Sequence, residues 1–279
     1  MTVTSDLRRQ YHQNLCEKII NIDADGVPNN ADRHNKISVK LSRDIIENMG
    51  LPLRITKPSD QTSGSSFERI TSEYLQISFT HLQHLRPGKW TFRVGTHVDQ
   101  FEQYEHLADL AKTLEMHKEL RATLGDYLIV PDIVVGRLPV EDEEINQAEM
   151  LVDSSDVANL TPLRKINSKN PILHASISCK WTIRSDRSQN SRTEGLNLIR
   201  NRKGKTPHIC IITAEPLPQR IASVALGTGD IDCVYHIALP ELQAAVRNLD
   251  NEAVTEMLDI LVTGKRLRDI ADLPFDLII

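Results

Sequence analysis

Two strand-forming segments constrain the fold of this chain more than any other feature. Residues 127–135 (YLIVPDIVV) and 172–183 (ILHASISCKWTI) are rich in β-branched and other apolar side chains. Further strands are predicted at 90–94 and 208–214, and apolar residues with helical spacing occur at 5–22, 39–49, 66–85, 102–124, 190–202 and 240–262. Because strands and helices alternate, we predict an α/β fold with a mixed central β-sheet flanked by helices.

The composition suits one domain covering residues 1–279 in a cytoplasmic protein. The chain has 279 residues, of which 40% are hydrophobic, and this is enough to bury a core. No apolar run is long enough to cross a membrane, and the N-terminal MTVTSDLRRQ is too polar for a secretory signal. We therefore expect no membrane partner. The four cysteines form no CxxC pair, so we expect reduced thiols rather than a structural zinc site.

Positive charge is concentrated in one interval although the chain as a whole is acidic. The formal net charge is −5, yet residues 180–205 contain eight Lys and Arg residues against only Asp186 and Glu194. Binding of nucleic acid depends on local charge, so the overall value does not exclude it. A solvated helix face would produce the same pattern.

Asp132 and Lys180 are the first candidates for chemistry. Asp132 follows Pro131 in the first segment, and Lys180 lies 48 residues later, near the end of the second. If the two strands are neighbours, their ends bring these two side chains together. Period-two alternation places Ser176, Ser178 and Lys180 on one face of that strand. Phosphodiester hydrolysis needs a carboxylate that holds a divalent cation and a positive group beside the scissile phosphate. A strand-end lysine that extends to solvent remains the alternative.

These residues resemble a known motif. Pro131-Asp132 followed by Ser178-Cys179-Lys180 is similar to the motif of the PD-(D/E)XK nucleases, with Ser178 in place of the second acid. One subgroup of restriction endonucleases takes this acid from the following helix, and Glu194 fits that relocation. Residues 61–68, 82–88, 174–204, 225–236 and 264–274 resemble a family of type II restriction endonucleases that read CCGG. The resemblance spans nearly the whole chain and implies a restriction-endonuclease-like core.

The resemblance also implies the metal and its ligands. Asp132 is similar to the acid that contacts both of two Mg²⁺ ions, and the backbone carbonyl of Cys179 would be a further ligand. Lys180 corresponds to the catalytic lysine. Glu68 and Glu194 correspond to supporting acids that act on metal or bound water.

The segment after the lysine has the chemistry to read G·C pairs. Arginine offers two donors to guanine O6 and N7, and aspartate accepts from cytosine N4. The resemblance implies that Arg184, Asp186 and Arg187 read the central CCGG. It assigns Gln61 and Arg220 to the outer base pair, whereas His34 stands where the family has a small serine. Arg200, Arg202 and Lys203 are expected to contact phosphates rather than bases.

The expected substrate and partners follow from these assignments. The predicted site is GCCGGC in double-stranded DNA, cut after the first G to leave a 5′ CCGG overhang. A palindrome is read by a twofold-symmetric protein, so a dimer is the minimum. The resemblance implies a homotetramer of two back-to-back dimers in a bacterial cytoplasm, with a cognate DNA methyltransferase. Residues 140–170 either form the tetramer contact or are a mobile surface loop.

Other functions remain open from the residues alone. A different outer base pair would keep the enzyme class. A nuclease for repair or branched DNA would not need the base-reading set Arg184, Asp186 and Arg187. A non-catalytic DNA-binding protein would not need the acids beside Lys180. A metabolic enzyme with Lys180 as a nucleophile would need an apolar pocket that lowers the lysine pKa.

Overall fold

A mixed β-sheet lies at the centre of the computed structural model, which describes residues 2–53, 60–117, 119, 129–155, 157–227 and 229–279, with backbone alone at 60–64, 111 and 185–189. In these ranges the sheet has six strands in the order of the chain. They are β1 Trp90–Val94, β2 Ile133–Arg137, β3 Ile172–Lys180, β4 His208–Thr213, β5 Cys233–His236 and β6 Leu267–Asp269. The predicted α/β class with a mixed sheet is confirmed.

The sheet changes direction at β3. Strands β1, β2 and β3 are antiparallel, whereas β3, β4, β5 and β6 run parallel. The residues of β4 and β5 are almost all buried because helices connect the parallel strands and cover the sheet. Sequences such as HICIIT are therefore apolar almost throughout rather than alternating.

Helices surround the sheet. They are α1 Val3–Lys18, α2 Lys36–Met49, α3 Asp60–Leu82, α4 Leu107–Met116, α5 Asp142–Ile145, α6 Ser185–Asn201, α7 Pro218–Ala225, α8 Leu239–Arg247, α9 Glu252–Thr263 and α10 Leu273–Asp276. Helix α3 contacts α1 and β1, α2 packs on α8, and α7 packs on α9. In the described part of the chain, no helix is long and apolar enough to cross a membrane.

Two predicted elements differ from the observed ones. The first strand was expected over 127–135, but β2 begins at Ile133, and residues 129–132 are not in the sheet. Pro131 has no N–H to donate to a strand ladder, which accounts for this late start. The helix expected over 102–124 begins at Leu107 and follows two short 3₁₀ turns, because Phe101 and Tyr104 are buried in the core. Residues 118, 120–128 and 156 lie outside the described residues.

The antiparallel pairing of β2 and β3 positions the candidate site. Ile133 at the start of β2 pairs with Ile177 near the end of β3. Asp132, one residue before β2, therefore lies beside Cys179 and Lys180, the last two residues of β3. Helix α6 begins five residues later, so its first turns lie near the same end of the sheet.

Candidate active site and DNA-reading face

Asp132 and Lys180 form the centre of the site. One carboxylate oxygen of Asp132 (Oδ2) accepts the Lys180 ammonium at 2.9 Å and the backbone N–H of Cys179 at 2.7 Å. Their side chains are 25% and 21% exposed. The backbone bond holds Asp132 against β3, so the predicted meeting of these two side chains is observed.

Lys180 stays charged in this setting. Burial lowers the pKa of Lys180, but the charge and hydrogen bond of Asp132 and the charge of Glu194 raise it above its ordinary value. A lysine nucleophile needs the opposite shift. The metabolic-enzyme hypothesis is therefore disfavoured, and Lys180 is suited to stabilise negative charge.

Glu194 of α6 occupies the place where the plain motif has its second acid. Its carboxylate forms a hydrogen bond with Ser178, and burial raises the pKa of Glu194 to about 7, with Lys180 opposing and Asp132 reinforcing the shift. The other carboxylate oxygen, Oε1, is buried without a hydrogen-bond partner. The acid expected to be relocated to the helix thus reaches the Ser178 position.

Glu68, on helix α3, is a third acid that interacts with Asp132 and Lys180. Burial and the charge of Asp132 raise the pKa of Glu68, whereas Lys180 lowers it. Asp132 therefore raises the pKa of both Glu68 and Glu194, and Lys180 lowers both, so the three carboxylates and the lysine interact electrostatically. Such a set accumulates negative charge that a cation would neutralise.

The donor set fits Mg²⁺ as a partial coordination shell. Among the described residues, no three His, Cys, Asp or Glu side chains are close enough to enclose a metal ion. Mg²⁺ is usually held by one or two carboxylates together with waters and substrate phosphates, so an all-protein cage is not required. The unpartnered Oε1 of Glu194 is one oxygen that such an ion would satisfy. Burial and the charge of Asp132 raise the pKa of the Cys179 thiol, which leaves its backbone carbonyl as the donor available to a hard cation.

The central base-reading candidates lie at the start of α6. Arg184 is the N-cap residue of this helix and is exposed, directly after the buried Ile183. Asp186 and Arg187 belong to the first turn of α6, and their side chains lie outside the described residues. Gln61 lies in the first turn of α3, and its side chain is likewise outside them.

Two outer-pair candidates meet at an acid that was not predicted from the sequence. Arg220 of α7 forms an ion pair with Asp32, and the backbone N–H of His34 donates to the other Asp32 oxygen at 3.1 Å. The Arg220 hydrogen bond, together with that of His34, lowers the pKa of Asp32. The position of Asp32, two residues before the residue it accepts from, is the mark of an Asx turn. That local signal could have singled out Asp32, but not its pairing with a residue 188 positions away.

The arginines and lysines within residues 180–205 lie in different environments. Arg200 and Lys203 are exposed, as phosphate contacts require. Arg202 is half-buried and donates to the carbonyl of Ile199 at the end of its own helix. Arg192 donates to the carbonyls of Ser223 and Leu226, at the C-terminal end of α7. The guanidinium groups of Arg192 and Arg202 are therefore engaged in hydrogen bonds within the protein, whereas Arg200 and Lys203 face solvent.

Known proteins are similar to this chain over nearly its whole length. The family model described as "NgoMIV restriction enzyme" matches residues 11–279. The type II restriction enzyme NgoMIV of Neisseria gonorrhoeae is 49% identical over 277 residues, which cover 97% of this chain and 96% of that enzyme.

Two solved structures are more distant. Restriction endonuclease PspGI in complex with substrate DNA is 11% identical with a TM-score of 0.31, and covers 100% of this chain and 92% of its own. The type IIF restriction endonuclease Bse634I with cognate DNA is 13% identical with a TM-score of 0.33, and covers 98% of this chain and 92% of its own. Identities and TM-scores this low do not identify the family, whereas the family match and the 49% identity do. The chain therefore belongs to the NgoMIV family of type II restriction enzymes, which are site-specific nucleases.

Proposed function

We propose that this enzyme hydrolyses double-stranded DNA at the palindrome GCCGGC, after the first G, and leaves a 5′ CCGG overhang. The observation that carries the catalytic part is the cluster at the end of β3, where Asp132 holds Lys180 and Glu194 reaches Ser178. The specificity is supported by 49% identity to NgoMIV and by the Arg184, Asp186 and Arg187 segment that follows the lysine.

Each catalytic side chain has a defined task in this proposal. Asp132, the Cys179 carbonyl and Glu194 would hold two Mg²⁺ ions, with Glu68 acting on metal or bound water. When bound, Mg²⁺ neutralises charge on the scissile phosphate and lowers the pKa of its water. Lys180, 2.9 Å from Asp132, orients the attacking water and stabilises the charge that grows on the phosphate.

DNA recognition is divided between two parts of the surface. Arg184, Asp186 and Arg187 read the central CCGG, and Gln61 and Arg220 read the outer pair. Arg200 and Lys203 contact phosphates and set the register without reading sequence. Arg202 is the third proposed phosphate contact, and one of its guanidinium nitrogens also donates to the carbonyl of Ile199.

The second candidate is the same enzyme class with a different outer base pair. His34 stands where the family has a small serine, and it is exposed beside the Asp32–Arg220 pair. An imidazole there offers a larger donor and acceptor group to the outer pair than a hydroxyl does. The departure at His34 concerns the specificity for the outer base pair alone, and the second candidate keeps the same specificity for the central four bases.

We also propose assembly into a homotetramer of two back-to-back dimers through residues 140–170. Five apolar side chains in this connection are between 61% and 95% exposed: Met150, Leu151, Val157, Leu160 and Ile166. Arg164 is only 2% exposed and donates to Asp142, to Asn159 and to the carbonyls of Asp153, Val157 and Ala158. A connection organised around a buried arginine with apolar side chains outside is typical of an interface rather than a mobile loop.

The biological setting follows from the activity. A nuclease of this specificity in a bacterial cytoplasm would cut its own genome, so we propose a cognate DNA methyltransferase that modifies the same site. The whole chain, residues 1–279, acts as one nuclease domain in this proposal, without a membrane partner.

One experiment tests the proposal directly. Plasmid DNA is incubated with the protein and Mg²⁺, and the ends of the products are sequenced. We expect cuts after the first G of GCCGGC and no cutting when Mg²⁺ is removed with a chelator. Random nicking, or no cutting at all, would refute the restriction function. Ends at another CCGG-containing palindrome would favour the second candidate, and an identically purified D132A preparation controls for contaminating nucleases.

A further inference from the structure

Glu215 is a buried acid that the proposed catalytic mechanism does not use. It lies between β4 and α7 and is 0% exposed. One carboxylate oxygen (Oε2) accepts the backbone N–H of Ile183 at 2.9 Å, and the other (Oε1) accepts the backbone N–H of Leu217 at 3.2 Å. A buried carboxylate is costly unless donors satisfy it, so these bonds hold both segments tightly.

The two segments held by Glu215 carry base-reading candidates. Ile183 directly precedes Arg184, the exposed N-cap residue of α6. Leu217 is the N-cap residue of α7, which carries Arg220 one turn later. A displacement of Ile183 or Leu217 would therefore move the guanidinium of the arginine that follows it.

Glu215 also interacts with Arg220 through charge. The Oε2 atom that accepts from Ile183 lies 3.9 Å from Nη1 of Arg220, while Nη2 of the same guanidinium pairs with Asp32. Arg220 thus lies between two carboxylates, that of the fully buried Glu215 and that of the half-buried Asp32. Burial raises the pKa of Glu215 to about 7, with the two backbone N–H donors and Arg220 opposing the shift.

We propose that Glu215 is a positioning residue that fixes Arg184 and Arg220 relative to each other, and so sets the spacing at which the central and outer base pairs are read. This inference rests on the proposed function, because it assumes that the two arginines read bases. Glu215 touches no DNA in this role. It acts through the backbone at Ile183 and Leu217 and through the charge that faces Arg220.

The test compares E215Q with wild type on three DNA duplexes. One carries the hexanucleotide that the wild type cuts, one is altered at the outer base pair, and one is altered within the central four. Glutamine keeps the shape but replaces one acceptor oxygen with an N–H₂ donor, so one backbone N–H loses its partner. We expect discrimination against the altered outer pair, measured as a ratio of kcat/KM values, to fall about tenfold, which corresponds to about 1.4 kcal/mol. We expect kcat on the cut sequence to stay within about threefold, since Glu215 does not contact the catalytic cluster.

Two controls separate positioning from general loss of stability. E241Q removes a different carboxylate, which is partly buried and binds Arg8 rather than a base-reading segment. We expect the outer-pair discrimination of E241Q to equal that of the wild type. In an R220A background, E215Q should change outer-pair discrimination no further, because the reader it positions is absent. E215D keeps both oxygens and the charge but is one methylene shorter, and it serves if E215Q does not fold.

The outcomes are distinct. Folded E215Q or E215D with unchanged outer-pair discrimination would overturn the role of Glu215 while leaving the proposed function intact. An equal effect in the presence and absence of Arg220 would also overturn it. If the wild type itself cuts at no defined sequence, the proposed function fails first.

Discussion

One oxygen of Asp132 receives both the backbone N–H of Cys179 and the ammonium of Lys180. Removal of that carboxylate leaves Lys180, which is mostly buried, without its main counter-charge. It also removes the acid expected to hold the metal ions. The exposed Arg184, by contrast, has no contact with Asp132 among the residues that the structure describes, so the proposed base-reading and catalytic roles are separable at this scale.

The substitution D132A tests that separation. We expect the cleavage rate to fall by more than about a hundredfold, the magnitude typical for the loss of a main electrostatic group at a reacting phosphate. Binding to the cognate site should remain within about tenfold, because the base-reading residues are retained. Single-turnover cleavage and gel-shift titration measure the two quantities. Cutting by D132A at a rate near that of the wild type would show that the metal assignment is wrong.

Helix α6 carries both a proposed base-reading residue and a proposed catalytic residue. Its N-terminus carries Arg184, and Glu194 lies near its middle, beside Ser178 of β3. Arg192 fastens this helix to the end of α7, where it donates to the carbonyls of Ser223 and Leu226. Gly227 permits the approach, since a Cβ there would lie 2.6 Å from the guanidinium and φ is +152°.

The substitution R192A should loosen this attachment. We expect the free energy of unfolding to fall by about 1 kcal/mol, the usual net value of a hydrogen bond. The cleavage rate should also fall, because Glu194 lies on the released helix. Urea denaturation and single-turnover cleavage measure the two effects. R200A, which changes an exposed arginine on the same helix, should leave stability unchanged, and equal stability of R192A and wild type would contradict the attachment.

At the scale of the whole molecule, the connection between β2 and β3 presents apolar side chains to solvent, although the sheet itself is well covered. Leu160 and Ile166 are 95% and 74% exposed. Arg164 lies between these two residues in the sequence and is buried. Its guanidinium links parts of this connection through hydrogen bonds to Asp142 and to neighbouring carbonyls. Such a surface is suited to contact a second copy of the chain.

If the proposed tetramer forms through this surface, the double substitution L160D/I166D should reduce it to a dimer. Buried carboxylates at a subunit contact carry a large desolvation cost, so even two should disrupt it. Analytical ultracentrifugation measures the mass. I260D, which changes an exposed apolar residue of α9, is the matched control and should stay tetrameric. An unchanged mass for L160D/I166D would exclude residues 140–170 as the tetramer contact.

Buried histidines make the stability of the whole fold depend on pH. Burial lowers the pKa of His174 to about 3 and that of His236 to about 4. Unfolded chains bind these protons near the ordinary value of about 6.5. The stabilisation is thus complete above that pH and is lost as pH falls toward 4, because only the unfolded state takes up protons there.

The substitution H174Q isolates one of these groups. Glutamine can donate to the carbonyl of Leu277, as the ring does, but it does not titrate. Between pH 7.5 and 5 we expect the free energy of unfolding of the wild type to fall by about 2 kcal/mol more than that of H174Q, since one pKa unit corresponds to 1.36 kcal/mol. Urea denaturation at each pH measures it. A constant difference across this range would contradict the assignment, and H84Q, at an exposed histidine, is the control.

The α/β class, the run of strands and the pairing of Asp132 with Lys180 could be predicted from the sequence. These features depend on local patterns, namely apolar periodicity and residues at strand ends, which act over a few neighbours. The relocation of the acid to Glu194 needed the resemblance to a family as well, because Ser178 alone does not point to a glutamate 16 residues further along the chain. The predicted strand began at residue 127, whereas β2 begins at Ile133, and Pro131 was a local sign that the strand would not extend across that position.

The contacts around Arg220 were decided by the tertiary structure alone. Asp32 reaches Arg220 across 188 positions, and Glu215 reaches Ile183 across 32. The periodicity of the sequence does not predict these long-range contacts, because they depend on strand order and on which helix ends face one another. The sequence by itself determined which residues could do chemistry. The fold decided which of them share a carboxylate, since only burial in the folded chain excludes the water that would otherwise satisfy each group separately.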